Sequence, residues 1–92
     1  MPLPSPAQLL DQAAFFMMLA DPSRLAILYL LLEEPELKVL EIQQALGFSQ
    51  TKVSRHLDWL KRSGLVGYRK DLTASYYQIL PEVKDKIRKH LS

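Results

Sequence analysis

The sequence predicts a mainly α-helical fold with one small β-hairpin, and two features indicate it most clearly. Residues 49–63 have the spacing of an amphipathic helix that ends at Gly64, and residues 65–70 and 74–79 alternate like the two strands of a hairpin. The first 48 residues hold six acidic and two basic side chains, a net charge of −4, whereas the rest of the chain holds four acidic and ten basic, a net charge of +6. A helix followed by a basic hairpin is the layout of a winged helix-turn-helix, here in the order α-α-α-α-β-β-α.

Length and composition place these elements in one domain. A chain of 92 residues, 48% of them hydrophobic, is expected to form a single globular domain over residues 7–92, after a proline-rich arm at residues 1–6. The absence of cysteine excludes disulfides, thiolate metal sites and a cysteine nucleophile. The N-terminus lacks the basic region of a signal peptide, and no apolar run reaches the roughly 18 residues of a membrane span. We therefore expect a cytoplasmic protein with no membrane partner.

The first predicted helix, residues 7–20, is apolar on every side after Asp11 and Gln12. A helix of this kind must be covered on more than one face. Its consecutive large side chains cannot all point into one core, so some are expected to meet another subunit. These side chains are Phe15, Phe16, Met17 and Met18. The alternative is that the whole helix lies under the other helices of its own chain.

The second and third helices are predicted from their caps and their apolar spacing. Asp21 is a good N-cap and Pro22 suits the first helical position, and the helix is expected to end at residues 33–35. Its predicted core residues are Leu25, Ile27, Leu28, Leu31 and Leu32. Residues 36–39 are expected to form a short edge strand. Gly47 closes a short third helix. The apolar residues of that helix are Leu40, Ile42, Ala45 and Leu46.

The fourth helix, with Ser49 as its expected N-cap, has two different faces. Its inner face is predicted to consist of Val53, Leu57 and Leu60, and at 100° per residue the opposite face carries Thr51, Arg55, Asp58 and Arg62. Arginine can bond guanine, glutamine can bond adenine, and the N-terminal turns of the second helix of this motif reach the bases. Base contacts are therefore predicted for Gln50, Thr51, Ser54 and Arg55, and phosphate contacts for Lys52, Lys61 and Arg62. The alternative is a plain solvated amphipathic helix.

The hairpin is predicted to supply a second DNA contact. Arg69 and Lys70 lie close to its expected tip, residues 71–73. A basic wing tip usually lies along phosphate or enters the adjacent minor groove. The alternative is ordinary protection of an edge strand by charge. Trp59 lies toward the outer face of the fourth helix, where it could support the wing.

The run SQTKVSRHLDWLKRSGLV, followed by a strand, a polar turn and YYQIL, resembles the ArsR/SmtB family of bacterial and archaeal winged-helix repressors. ADPSRLAIL in residues 20–28 is similar to the opening of that family's second helix, and the likeness covers about residues 9–80 in the right order. The resemblance implies a homodimer that binds an inverted repeat in a double-stranded DNA operator and represses transcription.

The residues and the resemblance together give two predicted surfaces. The helix-turn-helix would span about residues 40–63, the wing about 65–79, and the dimerisation helices about 7–20 and 81–91. The predicted DNA-contacting residues are Ser49, Gln50, Thr51, Lys52, Ser54, Arg55, Lys61, Arg62, Arg69 and Lys70. The family forms its dimer through the first and last helices, which implies an interface of Leu10, Phe15, Phe16, Met17, Met18, Val83, Ile87 and Leu91.

The resemblance also shows which family features this chain lacks. The arsenic and cadmium sensors carry a Cys-Val-Cys stretch at the start of helix three, where this chain has Lys38 and Leu40. Zinc sensors carry Asp and His pairs across the last helices, whereas Asp85 and His90 are five residues apart and do not share a helical face. His56 is interpreted as a core or hinge histidine. We therefore predict no metal and no cofactor. The effector is unidentified, and three alternatives stay open. The protein responds to something other than a soft metal, or it responds to no effector, or the natural chain is longer than this one.

Two other functions compete with that of a repressor. A winged-helix protein-interaction module would expose an apolar patch on the fourth helix, where the sequence instead has Thr, Arg, Asp and Lys side chains. An enzyme is not expected, because the chain has no glycine-rich phosphate loop, no cysteine and only two histidines. The predicted function is a homodimeric, operator-specific repressor without the family's cysteine metal site. Any ligand would be expected between the first and last helices.

Overall fold

The computed structural model describes residues 2–91, with the side chain of Met18 left out. Its elements, in chain order, are α1 Pro6–Leu19, α2 Pro22–Glu33, β1 Leu37–Lys38, α3 Val39–Leu46, α4 Gln50–Arg62, β2 Val66–Asp71, β3 Ala74–Ile79 and α5 Pro81–Leu91. The predicted mainly α fold with a β-hairpin wing is confirmed. The predicted edge strand is present as β1 and is two residues long.

The N-termini of α1 and α2 are fixed by side chains that accept hydrogen bonds from backbone amides. Asp21 Oδ1 accepts from the amides of Ser23 at 2.8 Å and Arg24 at 3.2 Å, as its predicted N-cap role requires. Ser5 Oγ accepts from the amide of Gln8, and the Gln8 side chain accepts in return from the Ser5 amide. This capping box starts α1 at Pro6, one residue before the predicted bound, so the arm is shorter than residues 1–6.

Two glycines in the left-handed region end the helices of the helix-turn-helix. Gly47 has a φ of 70° and its amide bonds the carbonyl of Gln43, which closes α3. Gly64 has a φ of 77°, and the following Leu65 amide bonds the carbonyl of Leu60. Both positions favour glycine because a Cβ is strained at positive φ. The predicted stops of α3 and α4 therefore have a conformational cause.

The sheet has three antiparallel strands in the order β1-β3-β2. In the hairpin, Val66 pairs with Ile79 at the base and Asp71 pairs with Ala74 at the tip. The connecting turn is therefore residues 72–73, one residue shorter than the predicted 71–73. Leu72 has a φ of 55° and is 95% exposed. The hairpin projects from the helical body with its tip in solvent.

One apolar core joins the helices to the base of the sheet. Its fully buried side chains are Ile27, Leu28, Leu31, Ile42, Val53, Leu57, Leu60, Val66 and Ile87. The inner face predicted for α4 is confirmed, since all three of its residues are in this core. One expectation is corrected, because Leu25 and Leu32 of α2 are only partly buried, although they pack against this core. Leu40 of α3 is 60% exposed. Ile42 faces the core at the position where the short α3 crosses α4, and Leu40 lies on its other side.

The predicted dimerisation residues differ in burial and fall into three groups. Phe15 (5% exposed) and Ile87 (0%) pack into the core of their own chain, which corrects the prediction that they face a partner. Leu10, Phe16 and Met17 of α1 are exposed, at 72%, 53% and 72%. Val83 and Leu91 of α5 are partly buried. Met18 was also predicted at the interface, but its side chain lies outside what the structure describes.

Between residues 2 and 91, no single helix is long and apolar enough to cross a membrane. Within these residues, α1 and α2 taken together have the length and composition of a membrane span, but the pair is bent by 88° at the break between the two helices.

Candidate nucleic-acid interface

The outer face of α4 gathers the residues predicted to contact bases. Gln50, Thr51, Ser54 and Arg55 are exposed, and together with Asp58 they line one shallow, open concavity. The opposite face is anchored by buried Leu57 and its neighbours, so this surface cannot rotate inward without exposing the core. The four predicted side chains thus lie together on a rigid helix, where they offer amide, hydroxyl and guanidinium groups to a ligand.

Ser49 stands at the N-terminus of this helix. Its Oγ accepts a hydrogen bond from the Lys52 amide at 3.1 Å. The other free amides of the first turn point outward and carry a partial positive charge. Since such a helix end attracts anions, the start of α4 is suited to a phosphate group.

Aromatic rings hold two of the predicted phosphate-contacting lysines in place. Lys52 Nζ lies 4.0 Å from the centre of the Phe48 ring, and Lys61 Nζ lies 5.0 Å from that of Tyr68 in β2. Both lysines are exposed, so their charges remain open to a ligand while their stems are ordered. The Lys61–Tyr68 contact also joins the end of α4 to the wing.

Arg62, the third predicted phosphate contact on α4, forms an ion pair with Asp58. Its Nη2 lies 2.9 Å from Asp58 Oδ2, and the side chains are 77% and 45% exposed. An exposed i,i+4 pair of this kind contributes only about 0.3–0.5 kcal/mol. Arg62 can therefore exchange this partner for a phosphate at little cost.

The two predicted wing contacts are not equivalent. Lys70 is exposed on the same strand face as Tyr68, the face toward α4. Arg69 lies on the opposite face, where its Nε and Nη2 donate to the two carboxylate oxygens of Glu36 at 2.7 and 3.1 Å. Asp71 Oδ2 lies 3.8 Å from Arg69 Nη1. The hydrogen bond to Glu36 raises the pKa of Arg69 above its ordinary value, so the guanidinium is charged throughout the accessible pH range.

Trp59, which the sequence left as a residue that could support the wing, contacts α2. The Arg24 guanidinium lies 4.2 Å from the centre of its ring. Arg24 Nε and Nη1 are buried and have no hydrogen-bond partner among residues 2–91. The guanidinium is thus held between the Trp59 ring of α4 and Asp21, whose Oδ2 lies 3.6 Å from Arg24 Nη2, and the contact joins α2 to α4.

His56 lies beside this contact and is partly buried, as its interpretation as a core or hinge residue requires. Burial lowers its pKa below the ordinary value and outweighs the opposing effect of Asp21, with Arg24 and Lys52 adding to the lowering. For Asp21, burial raises the pKa, but the amides of Arg24 and Ser23 more than offset it, so the pKa is lowered overall. His56 is therefore neutral and Asp21 ionised at neutral pH.

Sequence reasoning missed the side chains that support the surface, namely Arg24, Glu36, Phe48 and Tyr68. Glu36 and Arg69 are 33 residues apart, and no local pattern links them. Phe48 stands four residues before Lys52, so that contact is local, whereas Tyr68 lies seven residues after Lys61 in the next element. The described part of the chain contains no group of three or more His, Cys, Asp or Glu side chains that could hold a metal ion.

The fold and this surface define a class of protein. A helix-turn-helix whose second helix presents a polar, exposed face, followed by a hairpin wing, is the architecture of winged helix-turn-helix DNA-binding regulators. The sequence pattern of the bacterial regulatory proteins of the arsR family matches residues 21–68, which span α2 to the middle of β2.

Curated relatives agree with this match. The chain is 38% identical over 76 residues to an arsenic resistance transcriptional regulator of Pseudomonas putida, covering 83% of this chain and 59% of that protein. It is 44% identical over 68 residues to the arsenical resistance operon repressor of Escherichia coli K12, covering 74% of this chain and 58% of that protein. The chain thus spans less than two thirds of the length of these two relatives.

Solved structures agree as well. HlyU from Vibrio cholerae superposes with a TM-score of 0.82 at 34% identity, over 94% of each chain. NolR from Sinorhizobium fredii superposes with a TM-score of 0.83 at 34% identity, over 100% of this chain and 94% of that one. The protein belongs to the ArsR family of helix-turn-helix transcriptional regulators, a family without enzymatic activity. The predicted resemblance is confirmed.

Proposed function

We propose that the protein acts as a homodimer that binds an inverted-repeat operator and represses transcription. The observation that carries this proposal is the outer face of α4, where four exposed polar side chains surround one concavity on a helix fixed by its buried face. A ligand suited to this surface is long, anionic and rich in hydrogen-bonding groups, and double-stranded DNA has all three properties.

Within this proposal the α4 residues divide between bases and backbone. Arg55 contacts guanine, which offers two acceptors to its guanidinium, and Gln50 contacts adenine. Thr51 and Ser54 bond either bases or phosphate. The Ser49 end of the helix, Lys52, Lys61 and Arg62 lie toward the phosphates, and Lys70 extends the contact from the wing.

Exposed apolar side chains of α1 support the proposed dimer. Leu10, Phe16 and Met17 lie at 53–72% exposure on one short helix, and burying the exposed part of each is favourable by at most about 1.5–3 kcal/mol, the value for full burial. Phe16 also makes an edge contact with the His90 ring of α5 at 5.3 Å between ring centres. A partner subunit covering this α1–α5 surface would place two copies of α4 about 34 Å apart, one turn of DNA.

The proposed regulation does not use a thiolate site, since the chain has no cysteine. If an effector exists, we place it between α1 and α5. There Gln12, Phe15, Phe16, Lys86 and His90 line a cavity of about 210 Å³. An effector there would act by favouring one spacing of the two α4 helices over another.

Selection from a pool of random DNA duplexes, followed by sequencing, tests the proposal. Recovery of an inverted repeat with half-sites about 10 base pairs apart is the expected result. Binding without a recovered motif would contradict operator specificity. No binding at low salt would contradict DNA binding altogether and favour a protein-interaction module.

The Arg55→Ala variant then tests the assignment of bases. It should lose about 1–3 kcal/mol at one position of each half-site and leave the preference at other positions unchanged. The same sequence preference in variant and wild type would remove Arg55 from base recognition. A promoter fusion with the selected operator would separate repression from activation, since one relative, HlyU of Vibrio cholerae, is a transcriptional activator.

A further inference from the structure

The Glu36–Arg69 ion pair joins the wing to the helix-turn-helix. Glu36 immediately precedes β1, and β1 leads without a break into α3, the first helix of the motif. Arg69 lies in β2 and engages both carboxylate oxygens of Glu36 through two different guanidinium nitrogens, at 2.7 and 3.1 Å. Two parallel charge-assisted hydrogen bonds fix orientation as well as distance.

The strand register adds further contacts on the same sheet face. Tyr76 of β3 pairs with Lys38 of β1 on one side and with Arg69 of β2 on the other. The Arg69 guanidinium lies 4.4 Å from the centre of the Tyr76 ring, and Lys38 Nζ lies 5.7 Å from it. Asp71 provides a second carboxylate near Arg69 at 3.8 Å. The guanidinium is thus held by an ion pair, a ring and a neighbouring carboxylate.

The Arg69 side chain is 50% exposed, but its Nε and Nη2 are already engaged by Glu36. To reach a phosphate it would have to give up two hydrogen bonds to Glu36 and leave that carboxylate unpaired near the DNA. The formal charges of Glu36, Lys38, Arg69 and Asp71 also cancel, so this face does not attract phosphate. Lys70 differs in each respect, because it lies on the face toward α4 and carries no acidic partner in the described contacts.

We propose that Arg69 is a positioning residue: with Glu36 and Tyr76 it holds the wing at a fixed angle to the helix-turn-helix, and Lys70 is the wing's phosphate contact. This inference rests on the proposed DNA binding and revises the role predicted for Arg69. A fixed wing removes part of the ordering cost of binding, since fewer segments become immobilised on the DNA.

Charge-preserving and charge-removing variants separate positioning from phosphate contact. Arg69→Lys keeps the charge but loses the two-pronged bond, so it should weaken operator binding about as much as Arg69→Gln. Glu36→Gln should weaken binding too, and the Glu36→Gln/Arg69→Gln double variant should be no worse than either single variant. We expect a loss of about fivefold for a dimer, the scale of two exposed bidentate pairs. Glu34→Gln is the matched control, because it removes the same charge two residues away.

The salt dependence of binding gives the second measurement. The slope of log Kobs against log salt is negative, and each lost phosphate contact decreases its magnitude by about 0.9. Lys70→Gln should decrease the magnitude of the slope by that amount per protomer, and Arg69→Gln should leave the slope unchanged. Any one of three results would show that Arg69 contacts phosphate and would overturn the inference. These are wild-type affinity in Arg69→Lys, a shallower salt dependence in Arg69→Gln, or tighter binding by Glu36→Gln than by Glu34→Gln. Unchanged affinity in all the Glu36 and Arg69 variants would overturn it as well.

Amide hydrogen exchange in the free protein keeps the inference separate from the proposed function. Arg69→Lys should speed exchange in β1 and in its partner β3 while leaving α2 and α4 as in the wild type. Unchanged exchange in the sheet would overturn the positioning role even if the wild type binds no DNA. If the wild type does not bind DNA but amide exchange is faster in Arg69→Lys, the proposed function is rejected and the positioning role of the Glu36–Arg69 contact is kept.

Discussion

Replacing Ser49 separates the stability of α4 from its contact with DNA. Ser49 Oγ accepts the Lys52 amide hydrogen at 3.1 Å, and the residue is exposed at the end of the helix that would face phosphate. Ser49→Ala removes the cap. Ser49→Asn and Ser49→Asp both keep it, because both are good N-cap residues. The Asn and Asp variants have nearly the same shape and differ in one negative charge.

The magnitudes follow from this geometry. Loss of the cap in Ser49→Ala should cost about 1 kcal/mol of the free energy of unfolding. For a domain of this size that corresponds to a fall of roughly 4–8 °C in Tm. Ser49→Asp should be at least as stable as Ser49→Asn, since a carboxylate at a helix N-terminus gains about 0.3–1 kcal/mol. On DNA, an added charge a few ångströms from a phosphate in water costs about 1 kcal/mol per protomer. Two half-sites then give about a 30-fold loss of affinity.

Thermal unfolding by circular dichroism and operator binding by fluorescence anisotropy, at one protein concentration and one salt concentration, measure both effects. Ser49→Asp is expected to be at least as stable as Ser49→Asn, and Ser49→Ala to be the least stable of the three. In DNA binding, by contrast, Ser49→Asp should be the weakest. Equal DNA affinity of the Asn and Asp variants would refute the placement of the α4 N-terminus at phosphate. An unchanged Tm in Ser49→Ala would refute the contribution of the cap.

Three further outcomes are expected. Leu57→Ala removes a side chain that is 1% exposed, so urea unfolding should show a loss of about 2–5 kcal/mol, and a loss under 1 kcal/mol would contradict its place in the core. Met17→Glu should shift the protein toward monomer in sedimentation without changing its helix content, whereas an unchanged dimer would exclude this part of α1 from the interface. Because burial lowers the pKa of His56, stability should be full above the unfolded pKa of about 6.5 and should fall as the pH drops below it. Between pH 7.5 and 5.5 the Tm should fall further in the wild type than in His56→Gln, and equal falls would contradict the lowered pKa.

Local signals in the sequence were sufficient to predict most of the element bounds. The caps at Asp21 and Ser49 and the stops at Gly47 and Gly64 each depend on bonds spanning two to five residues, so a short window contains the whole cause. The outer face of α4 could be predicted for the same reason, since helical periodicity alone separates it from buried Leu57. The order of elements and the α4 part of the site were thus accessible before the structure.

Contacts between distant segments could not be predicted in this way. Helix α1 is apolar on nearly every side, so periodicity could not tell that Phe15 turns inward and Phe16 outward. Of the α5 side chains, Lys86 lies 4.4 Å from the centre of the inward Phe15 ring, whereas His90 contacts the rings of both Phe15 and Phe16, at 5.2 and 5.3 Å. The ion pair that engages Arg69 likewise depends on a partner 33 residues away. Predicted sites were therefore least accurate where a side chain had two possible partners.

Protection of guanine N7 from dimethyl sulfate on the selected operator tests the central claim most directly, since N7 lies in the major groove. If two copies of α4 lie in successive major grooves, bound protein should protect guanines in two clusters about 10 base pairs apart on one face of the duplex. Saturating, sequence-specific binding that leaves every guanine N7 reactive, or that protects one cluster alone, would contradict the account.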